Sequence, residues 1–287
     1  MTRWLITGAG GQLGTDLVAV LRGADTRALR HAELDIADGR AVNRAIEEFG
    51  PDVVINAAAY TAVDTAETHE DAAYRVNATG PAVLAAALQE TAARLIHVST
   101  DYVFAGDVSR PYEVDDPTGP KSAYGRTKLS GELAVRELLP DASYVVRTAW
   151  VYGATGGNFV KTMAGLERSH GTVSVVDDQR GSPTWSADLA GALVSLGRSD
   201  AAAGFYHCTN AGDTTWFGLA QAIFEELGAD PSRVRPTNTD AFPRPAPRPA
   251  YSVLSDAAWR GTGLPPLRHW RAALHEAFAS CGDVLRP

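Results

Sequence analysis

A glycine-rich turn near the start of the chain constrains the fold more than any other feature. The apolar run Arg3–Thr7 predicts a strand, and the periodic pattern Gln12–Arg22 predicts a helix directly after the turn. Gly8, Gly11 and Gly14 would serve a tight turn, close approach of a pyrophosphate and packing of helix on strand, respectively. The helix N-terminus would then meet the phosphates with its free amides. The sequence therefore predicts a dinucleotide site, against the alternative of a turn that serves packing alone.

The chain up to residue 153 alternates strand and helix patterns, which predicts a doubly wound parallel sheet of the α/β class. After residue 153 this rhythm changes. We expect residues 1–153 to form an NAD(P)-binding domain of the Rossmann type, rejoined by about residues 185–212. A smaller interleaved substrate lobe would comprise residues 154–184 and 213–287. The predicted strands are Arg3–Thr7, Thr26–Leu29, Pro51–Asn56, Arg94–Ser99, Asp141–Thr148, Thr172–Val176 and Gly204–Thr209, and the predicted helices are Gln12–Arg22, Gly39–Phe49, Asp71–Ala93 (one or two helices), Ala123–Leu139, Asn158–Ser169, Ser186–Arg198, Trp216–Leu227 and His269–Cys281.

Composition narrows the class of protein. The net charge of −8 argues against general nucleic-acid binding, which needs a basic face. Cys208 and Cys281 are far apart in sequence and have no metal-ligand spacing, so a reducing cytoplasm is the default location. Residues 1–10 run straight into a strand, so we expect no signal peptide. No apolar run is long enough for a bilayer, and we expect no membrane partner.

The strand ends suggest the rest of a cofactor pocket. Ala57, Ala58 and Ala59 follow a buried strand, and their small side chains leave room for a flat ligand or serve ordinary packing. The second strand ends in Arg30 and His31 instead of the carboxylate that holds a ribose 2′-hydroxyl. These two residues would accommodate a 2′-phosphate, so NADP is allowed, or they are simply solvated.

Two further residues, Asp35 and Asn77, have two interpretations each. Asp35 would hydrogen-bond the adenine amino group, with Ile36 against the ring, or Asp35 would cap the helix Gly39–Phe49. Asn77 would brace backbone beside the site or cap a helix break at Gly80–Pro81, since a buried Asn needs partners.

Tyr124 and Lys128 are the strongest catalytic candidates. Four residues apart on a helix, they lie on one face, where the ammonium would lower the pKa of the phenol and prepare it for acid–base chemistry. The ordinary alternative is an exposed lysine paired with Glu132. Only three lysines occur in the chain, so a lysine at this position indicates a specific role rather than an ordinary solvent-exposed charge. Thr100 follows the strand Arg94–Ser99, at the sheet edge where such folds bind ligands.

Over essentially its whole length the chain resembles the extended short-chain dehydrogenase/reductase superfamily. Within it, the chain is similar to the dTDP-4-dehydrorhamnose reductases. The segments that carry the resemblance are Gly8–Gly14 (GAGGQLG), Glu33–Asp38 (ELDIAD), Asn56–Glu67 (NAAAYTAVDTAE), Ser99–Gly106 (STDYVFAG), Tyr124–Lys128 (YGRTK), Arg147–Gly153 (RTAWVYG), Asn158–Met163 (NFVKTM), Asp177–Thr184 (DDQRGSPT) and Arg248–Leu254 (RPAYSVL).

The resemblance implies a reaction and its residues. NADPH or NADH would reduce the C4 ketone of dTDP-4-dehydro-6-deoxy-L-mannose to give dTDP-L-rhamnose. Tyr124 would protonate the C4 oxygen, Lys128 would lower the tyrosine pKa and bind the nicotinamide ribose, and Thr100 would hydrogen-bond the carbonyl. Two hydroxyl donors stabilise a developing alkoxide without a metal. The cofactor residues implied are Gly8, Gly11, Gln12, Leu13, Asp35, Ile36, Ala57, Ala58, Ala59, Tyr124 and Lys128.

The resemblance also implies a sugar pocket. Trp150 either lines this pocket or packs between the lobes. Tyr102 stands where the related 4,6-dehydratases carry a glutamate, which argues for reduction rather than dehydration. The substrate residues implied are Val63, Thr100, Asp101, Tyr102, Tyr124, Trp150, Gln179 and Arg180.

Several alternatives stay open at this stage. The substrate could be another dTDP-4-keto-6-deoxy sugar, as in a dihydrostreptose-type or antibiotic-sugar pathway. A non-catalytic NADP-binding regulatory subunit, like the beta subunit of methionine adenosyltransferase, is the alternative from another class of function. Some relatives form a homodimer through Mg²⁺ held by helix carboxylates, and Asp16 lies at such a place. We treat Mg²⁺ and the homodimer as open and predict no metal ligand.

Overall fold

The computed structural model describes residues 1–286. Its strands are β1 (Trp4–Thr7), β2 (Thr26–Leu29), β3 (Val53–Asn56), β4 (Arg94–Thr100), β5 (Ser143–Thr148), β6 (Val151–Tyr152), β7 (Val173–Val176), β8 (Arg180–Gly181), β9 (Thr184–Trp185), β10 (Gly204–His207), β11 (Thr214–Thr215) and β12 (Val234–Thr237). Its α-helices are α1 (Gln12–Val20), α2 (Gly39–Phe49), α3 (Val63–Ala66), α4 (Glu70–Tyr74), α5 (Gly80–Leu88), α6 (Ala123–Leu138), α7 (Phe159–Ser169), α8 (Ser186–Arg198), α9 (Trp216–Glu226), α10 (Ala257–Arg260) and α11 (Trp270–Leu285).

Six parallel strands form the central sheet in the order β2-β1-β3-β4-β5-β10. The strand order reverses between β1 and β3, which opens a crevice at the carboxyl ends of the strands. Thr7 lies beside Asn56 in register, and Thr100 lies beside Thr148. β10 pairs with β5, so the prediction that the strand near residue 204 returns to the main sheet is confirmed.

Apolar side chains cover both faces of this sheet. Leu17 of α1 and Leu189 of α8 pack on one face. Ile46 of α2, Leu84 of α5 and Val135 of α6 pack on the other. The continuous apolar strands require this double cover, because each strand presents side chains to both faces. The predicted α/β doubly wound fold is therefore confirmed.

A separate apolar cluster belongs to the second half of the chain. Phe224 of α9, Leu274 of α11 and Val160 of α7 are buried together there. Short strand pairs support this cluster, namely β7 with β12, β8 with β11 and β6 with β9. The division at residue 153 into a nucleotide domain and a substrate lobe stays a prediction.

The region predicted as one or two helices, Asp71–Ala93, is a helix with a π-turn inserted. A π-turn, Arg75–Thr79, joins α4 to α5. Pro81 has no N–H for a carbonyl four residues earlier, and its ring would clash there, so the helix widens at this point. Asn77 lies in the widened turn, beside the predicted site.

Candidate active site

The glycine turn after β1 forms a cradle at the N-terminus of α1. Gly8 has a φ of +71°, and a Cβ there would lie 2.5 Å from the Ala58 nitrogen. A Cβ on Gly14 would lie 2.2 Å from the Gly8 carbonyl oxygen, so only glycine lets α1 approach so closely. Gly11 precedes α1 and contributes no side chain that caps it. The first amides of α1 are therefore available to an anion, as a pyrophosphate site requires.

The other predicted cofactor residues surround this cradle. Gln12 begins α1, and its Oε1 accepts a hydrogen bond from Asn158 at 3.0 Å. Leu13 is buried, and Ala57, Ala58 and Ala59 are half-buried directly after β3.

Asp35 and Ile36 lie beyond β2, and one alternative for Asp35 is wrong. Asp38, not Asp35, caps α2, because its Oδ1 accepts from the amides of Arg40 and Ala41. Asp35 instead accepts from the Ala37 amide, which lowers its pKa, and pairs with Arg75. The Ile36 side chain is buried, and a Cβ on Gly80 would lie 2.5 Å from its Cδ1.

The start of α6 brings Tyr124 to the end of β4. Ser122 caps the helix by accepting from the Gly125 amide at 3.1 Å. A Cβ on Gly125 would lie 2.3 Å from the Tyr102 carbonyl oxygen, so this glycine allows the helix to touch the turn after Thr100. The rings of Tyr102 and Tyr124 meet edge to face with centroids 5.6 Å apart. The sequence-predicted residues Thr100, Tyr102 and Tyr124 are thus in one place.

Lys128 is buried one turn deeper, with 2% of its surface exposed. Its Nζ donates to the Val98 carbonyl at 2.7 Å, and burial lowers its pKa to about 8. The alternative of an exposed lysine paired with Glu132 is wrong. Glu132 is fully buried and pairs with Arg147 of β5 at 2.7 Å.

The pKa of Tyr124 moves in the direction opposite to the prediction. The sequence predicts that Lys128 lowers it, whereas burial raises it to about 12 and a hydrogen bond with Thr100 offsets only part of that effect. Because the Lys128 ammonium is engaged by Val98, the loss of water around the phenol dominates. Tyr124 is therefore a protonated phenol at neutral pH.

Asn77 braces the backbone beside this cluster. Its Oδ1 accepts from the Tyr60 amide at 2.8 Å, and its Nδ2 donates to the Tyr60 carbonyl at 3.1 Å and to the Thr127 hydroxyl at 3.2 Å. Asn77 thus joins the chain after β3 to α6 next to Lys128. The bracing interpretation is confirmed.

Thr100, the last residue of β4, and Asp101, which follows it, form a buried pair. The Thr100 hydroxyl donates to Asp101 Oδ1 at 3.0 Å and accepts from the Tyr102 amide at 3.2 Å. Burial raises the pKa of Asp101 to about 6, although hydrogen bonds from Ser252 and Thr100 oppose this. Asp101 lies next to the hydroxyl of Thr100, which is predicted to bind the carbonyl. Its carboxyl group therefore changes between the neutral and the ionised form near pH 6.

Trp150 has a strained backbone and a tight aromatic neighbour. Its φ of +48° is unique among the non-glycine residues of the described chain. Its ring stacks on Trp216 with centroids 3.6 Å apart and 6° between the planes. A Cβ on Gly181 would lie 2.5 Å from the indole. Trp150 therefore packs against the second-lobe cluster, as the interlobe alternative proposed, and lies beside the loop that carries Gln179 and Arg180.

The other predicted sugar-pocket residues lie outside the cluster around Thr100 and Tyr124. Val63 is half-buried at the start of α3. Gln179 is buried and donates to the Thr239 hydroxyl at 3.0 Å. Arg180 is exposed and pairs with Asp213. The structure thus groups Thr100, Asp101, Tyr102 and Tyr124 directly and does not bring Gln179 or Arg180 into contact with them.

Comparison with known proteins settles the family. Residues 2–282 match the family described as RmlD substrate binding domain. This chain is a member of the RmlD family.

The alignments with relatives and with solved structures cover nearly the full length of both chains. A dTDP-4-dehydrorhamnose reductase of Streptomyces griseus is 55% identical over 292 residues, covering 99% of this chain and 96% of that protein. A probable dTDP-4,6-dihydroxy-2-methyloxan-3-one 4-ketoreductase of Streptomyces antibioticus is also 55% identical, with 96% and 94% covered. The crystal structure of dTDP-4-dehydrorhamnose reductase from Bacillus anthracis in complex with NADP has a TM-score of 0.93 and 38% identity, with 97% of this chain and 99% of that chain covered.

Sequence reasoning missed three residues of this RmlD-family site. Arg248 donates to Asp64 at 2.9 Å, and both charges act on Tyr102. The buried Ser252 hydroxyl acts on the Asp101 carboxyl group and lowers its pKa. These contacts come from residues 242–254, which we name the C-terminal strap. The signal was present, because Arg248 and Ser252 lie in the segment RPAYSVL, but nothing in that segment indicates which part of the sheet it crosses.

Proposed function

We propose that this protein is an NAD(P)H-dependent reductase that converts the C4 ketone of dTDP-4-dehydro-6-deoxy-L-mannose into the alcohol of dTDP-L-rhamnose. The observation that carries the proposal is that Thr100, Tyr124 and Lys128 lie together at the carboxyl end of β4, in the same parallel sheet whose β1 leads into the uncapped N-terminus of α1. The RmlD family and the names of the relatives support the sugar nucleotide and the reaction.

The residues at the cradle fit a nicotinamide dinucleotide. The amides at the start of α1 have no side-chain cap, and the Gly8 turn lies against Ala58 with no room for a Cβ. Gly11, Gln12 and Leu13 would hold the pyrophosphate, with the alanines after β3 beneath the flat rings. When bound, the reduced cofactor supplies the hydride that reaches C4.

The protein's own residues supply the proton and the orientation. Tyr124 is protonated at neutral pH and would donate to the ketone oxygen as negative charge develops there. Thr100 would donate a second hydrogen bond to the same oxygen. The Lys128 ammonium, one turn deeper, would stabilise the phenolate that Tyr124 leaves behind. Tyr102 occupies the position where the related dehydratases carry a glutamate, so the carboxylate that serves elimination at that position is absent.

The direct test uses purified protein, NADPH and dTDP-4-dehydro-L-rhamnose. We expect loss of the reduced-nicotinamide absorbance, with dTDP-L-rhamnose identified by NMR as the product. Absence of turnover with this substrate and with other dTDP-4-ketosugars, despite NADPH binding, would contradict the proposal and favour the regulatory subunit.

A second candidate is reduction of another dTDP-4-keto-6-deoxy sugar. The 4-ketoreductase of Streptomyces antibioticus is as similar to this chain as the rhamnose enzyme of Streptomyces griseus. The two proposals separate in a side-by-side measurement of kcat/KM for the two 4-ketosugars. The higher value identifies the sugar.

The lobes, location and assembly are proposals that follow from this function. We propose that residues 1–153 hold the nucleotide and that residues 154–184 and 213–287 cover the sugar. The protein would be cytoplasmic, because Cys208 and Cys281 are both free thiols, as is usual in a reducing compartment. None of the helices in residues 1–286 has the length and apolar character that crossing a bilayer demands.

The homodimer and Mg²⁺ stay open, as the sequence left them. In residues 1–286 no three His, Cys, Asp or Glu side chains are grouped as a metal site would need. Asp16 accepts a hydrogen bond from Ser186 at 2.5 Å, and burial raises its pKa. Light scattering after size-exclusion chromatography, with and without Mg²⁺, would test both.

A further inference from the structure

The hydroxyl of Thr100 has one proton, and a hydrogen bond to an ionised Asp101 requires that proton. It is donated to Asp101 Oδ1 at 3.0 Å, while the oxygen accepts from the Tyr102 amide. The same hydroxyl is in hydrogen-bond contact with Tyr124. A carboxylate accepts but cannot donate, so an ionised Asp101 retains the Thr100 proton. Thr100 then has none left for a ketone oxygen.

The surroundings of Asp101 favour its neutral form. The side chain is 2% exposed, and its Oδ2 has no partner within close hydrogen-bond geometry. The Ser252 hydroxyl, which is also buried without another partner, is the group of the C-terminal strap that acts on it. The titratable groups that face Asp101 are Tyr102 on its own turn and Tyr124 from α6, both neutral phenols.

No cation compensates a charge on Asp101. Within residues 1–286, no Lys, Arg or His forms an ion pair with it. The Arg248 guanidinium of the strap and the Asp64 carboxylate of α3 act on the adjacent Tyr102 and pair with each other at 2.9 Å. A buried, unpaired carboxylate is costly, and protonation removes that cost. The diphosphate of a sugar nucleotide would act in the same direction.

We propose that Asp101 is a positioning residue that, in its neutral form, donates a hydrogen bond to the Thr100 oxygen and thereby releases the Thr100 hydroxyl to donate to the ketone oxygen of the substrate. This inference rests on the proposed reductase function and deepens it. No proton is consumed at Asp101, because the Asp101–Thr100–ketone chain of hydrogen bonds only changes direction. The proton that enters the product still comes from Tyr124.

The inference predicts a specific pH profile. Since the productive form needs protonated Asp101, kcat/KM for the 4-ketosugar should fall as the pH rises through about 6, the pKa of the free enzyme's carboxyl. A second fall is expected near pH 8, where Lys128 loses its charge. The first fall belongs to Asp101 and the second to Lys128, so variants at residue 101 should affect only the first.

Three variants test the direction of the hydrogen bond. Asp101→Asn offers a neutral amide N–H at nearly the same place, and we expect turnover within about tenfold of the wild type and no fall near pH 6. Asp101→Leu removes the donor, and we expect kcat to fall by about 10²–10³-fold, as for loss of one oxyanion donor. Ser252→Ala removes a hydrogen bond that stabilises the carboxylate, so the fall should move to higher pH.

A double-mutant comparison separates positioning from a merely structural role. Thr100→Val should lose the fall near pH 6, and adding Asp101→Asn to it should change kcat little, because both act through one hydroxyl. NADPH binding at pH 7, measured by fluorescence, shows whether each variant is folded. If Asp101→Leu does not fold, Asp101→Asn and Ser252→Ala decide the matter.

The two proposals fail separately. If the wild type turns over the 4-ketosugar with a flat profile between about pH 5 and 7, or if Asp101→Asn keeps the fall or is as damaged as Asp101→Leu, then Asp101 does not direct Thr100. A shift to lower pH in Ser252→Ala would also overturn the inference. Absence of turnover at every pH would instead count against the reductase function itself.

Discussion

Tyr124 and Lys128 are neighbours on one helix whose pKa values are driven apart by burial. The pKa of the phenol rises to about 12 and that of the ammonium falls to about 8. Loss of water favours the neutral form of each group, so the phenol keeps its proton while the lysine is close to losing its own. This separation suits an acid that must donate at neutral pH, with a cation beneath it whose charge is fully present only below about pH 8.

Removal of the Tyr124 hydroxyl should separate binding from chemistry. We expect Tyr124→Phe to bind NADPH with nearly normal affinity and to lose about 10²–10⁴-fold in kcat, because only the proton donor is removed. Stopped-flow measurement of nicotinamide oxidation checks the rate, and fluorescence titration checks binding. Tyr74→Phe is the matched control, since that hydroxyl is on an exposed residue of α4. Retained turnover in Tyr124→Phe would remove this residue from the mechanism.

The buried charge of Lys128 should lower stability. We expect Lys128→Met to abolish turnover and to raise the free energy of unfolding at pH 7 by roughly 1–3 kcal/mol, because a desolvated ammonium is replaced by an apolar chain of similar size. Urea unfolding measures the change. Lys121→Met, on an exposed side chain, should change stability little.

The pH dependence of this stability difference has a definite sign. Between about pH 8 and the ordinary lysine value of 10.5, the unfolded chain binds the proton that the folded chain has released, so the stability of the wild type rises with pH. The advantage of Lys128→Met should therefore shrink across this window. A variant less stable than the wild type at pH 7 would show that the bond to the Val98 carbonyl outweighs the cost of burial.

At the scale of elements, the end of β2 and the start of α6 each determine the position of a functional side chain. β2 ends at Leu29, and the following Arg30 lays its stem against the glycine turn, 3.5 Å from where a Gly10 Cβ would be. α6 begins at Ala123 against the turn after β4, where Gly125 has no side chain. The end of β2 positions Arg30 and so affects the choice between NADPH and NADH. The start of α6 positions Tyr124.

Arg30 should favour NADPH over NADH. Its guanidinium lies at the strand end that faces the adenosine ribose in folds of this kind, so it can bind a 2′-phosphate. We expect Arg30→Ala to weaken NADPH binding by about tenfold or more and to leave NADH binding nearly unchanged. Arg27→Ala, in the same strand but paired with Glu48, is the control. Equal loss for both cofactors would contradict the assignment.

A methyl group on Gly125 should move the catalytic helix. Its Cβ would lie 2.3 Å from the Tyr102 carbonyl oxygen, so we expect Gly125→Ala to cost about 1–3 kcal/mol of stability and to reduce turnover. Gly165→Ala in α7 is the matched control, because no atom lies within 4 Å of its Cβ and alanine should add up to about 1 kcal/mol there. Thermal unfolding and turnover of both variants are compared. Equal behaviour would mean that α6 adjusts without cost.

At the scale of the whole molecule, the sequence predicts the local elements well and their long-range contacts poorly. β2, α2 and α8 have their predicted bounds. For α2 the signals are explicit, since Asp38 caps its start and Gly50 in the left-handed conformation ends it. The return of β10 to the main sheet followed from an isolated apolar run. The alternation up to residue 153 was sufficient to predict the parallel sheet, since parallel strands require crossover connections.

What the sequence left out are contacts between distant segments. Glu132 and Arg147 lie on different elements, and their buried pairing cannot be read from periodicity. The C-terminal strap reaches Asp64 and Asp101 through Arg248 and Ser252, yet its proline-rich composition predicts only an irregular loop. The direction of the Tyr124 pKa was also missed, because burial depends on how all these segments meet.

The packing around Trp150 couples three positions of this chain. The indole lies between Trp216 and Gly181, which come from other segments, and its backbone sits in a conformation that costs an ordinary residue about 1–3 kcal/mol. A smaller side chain at 150 leaves a void against Trp216, and a larger one at 181 collides with the ring. A change at any one of positions 150, 181 and 216 in this chain should therefore require compensating changes at the other two.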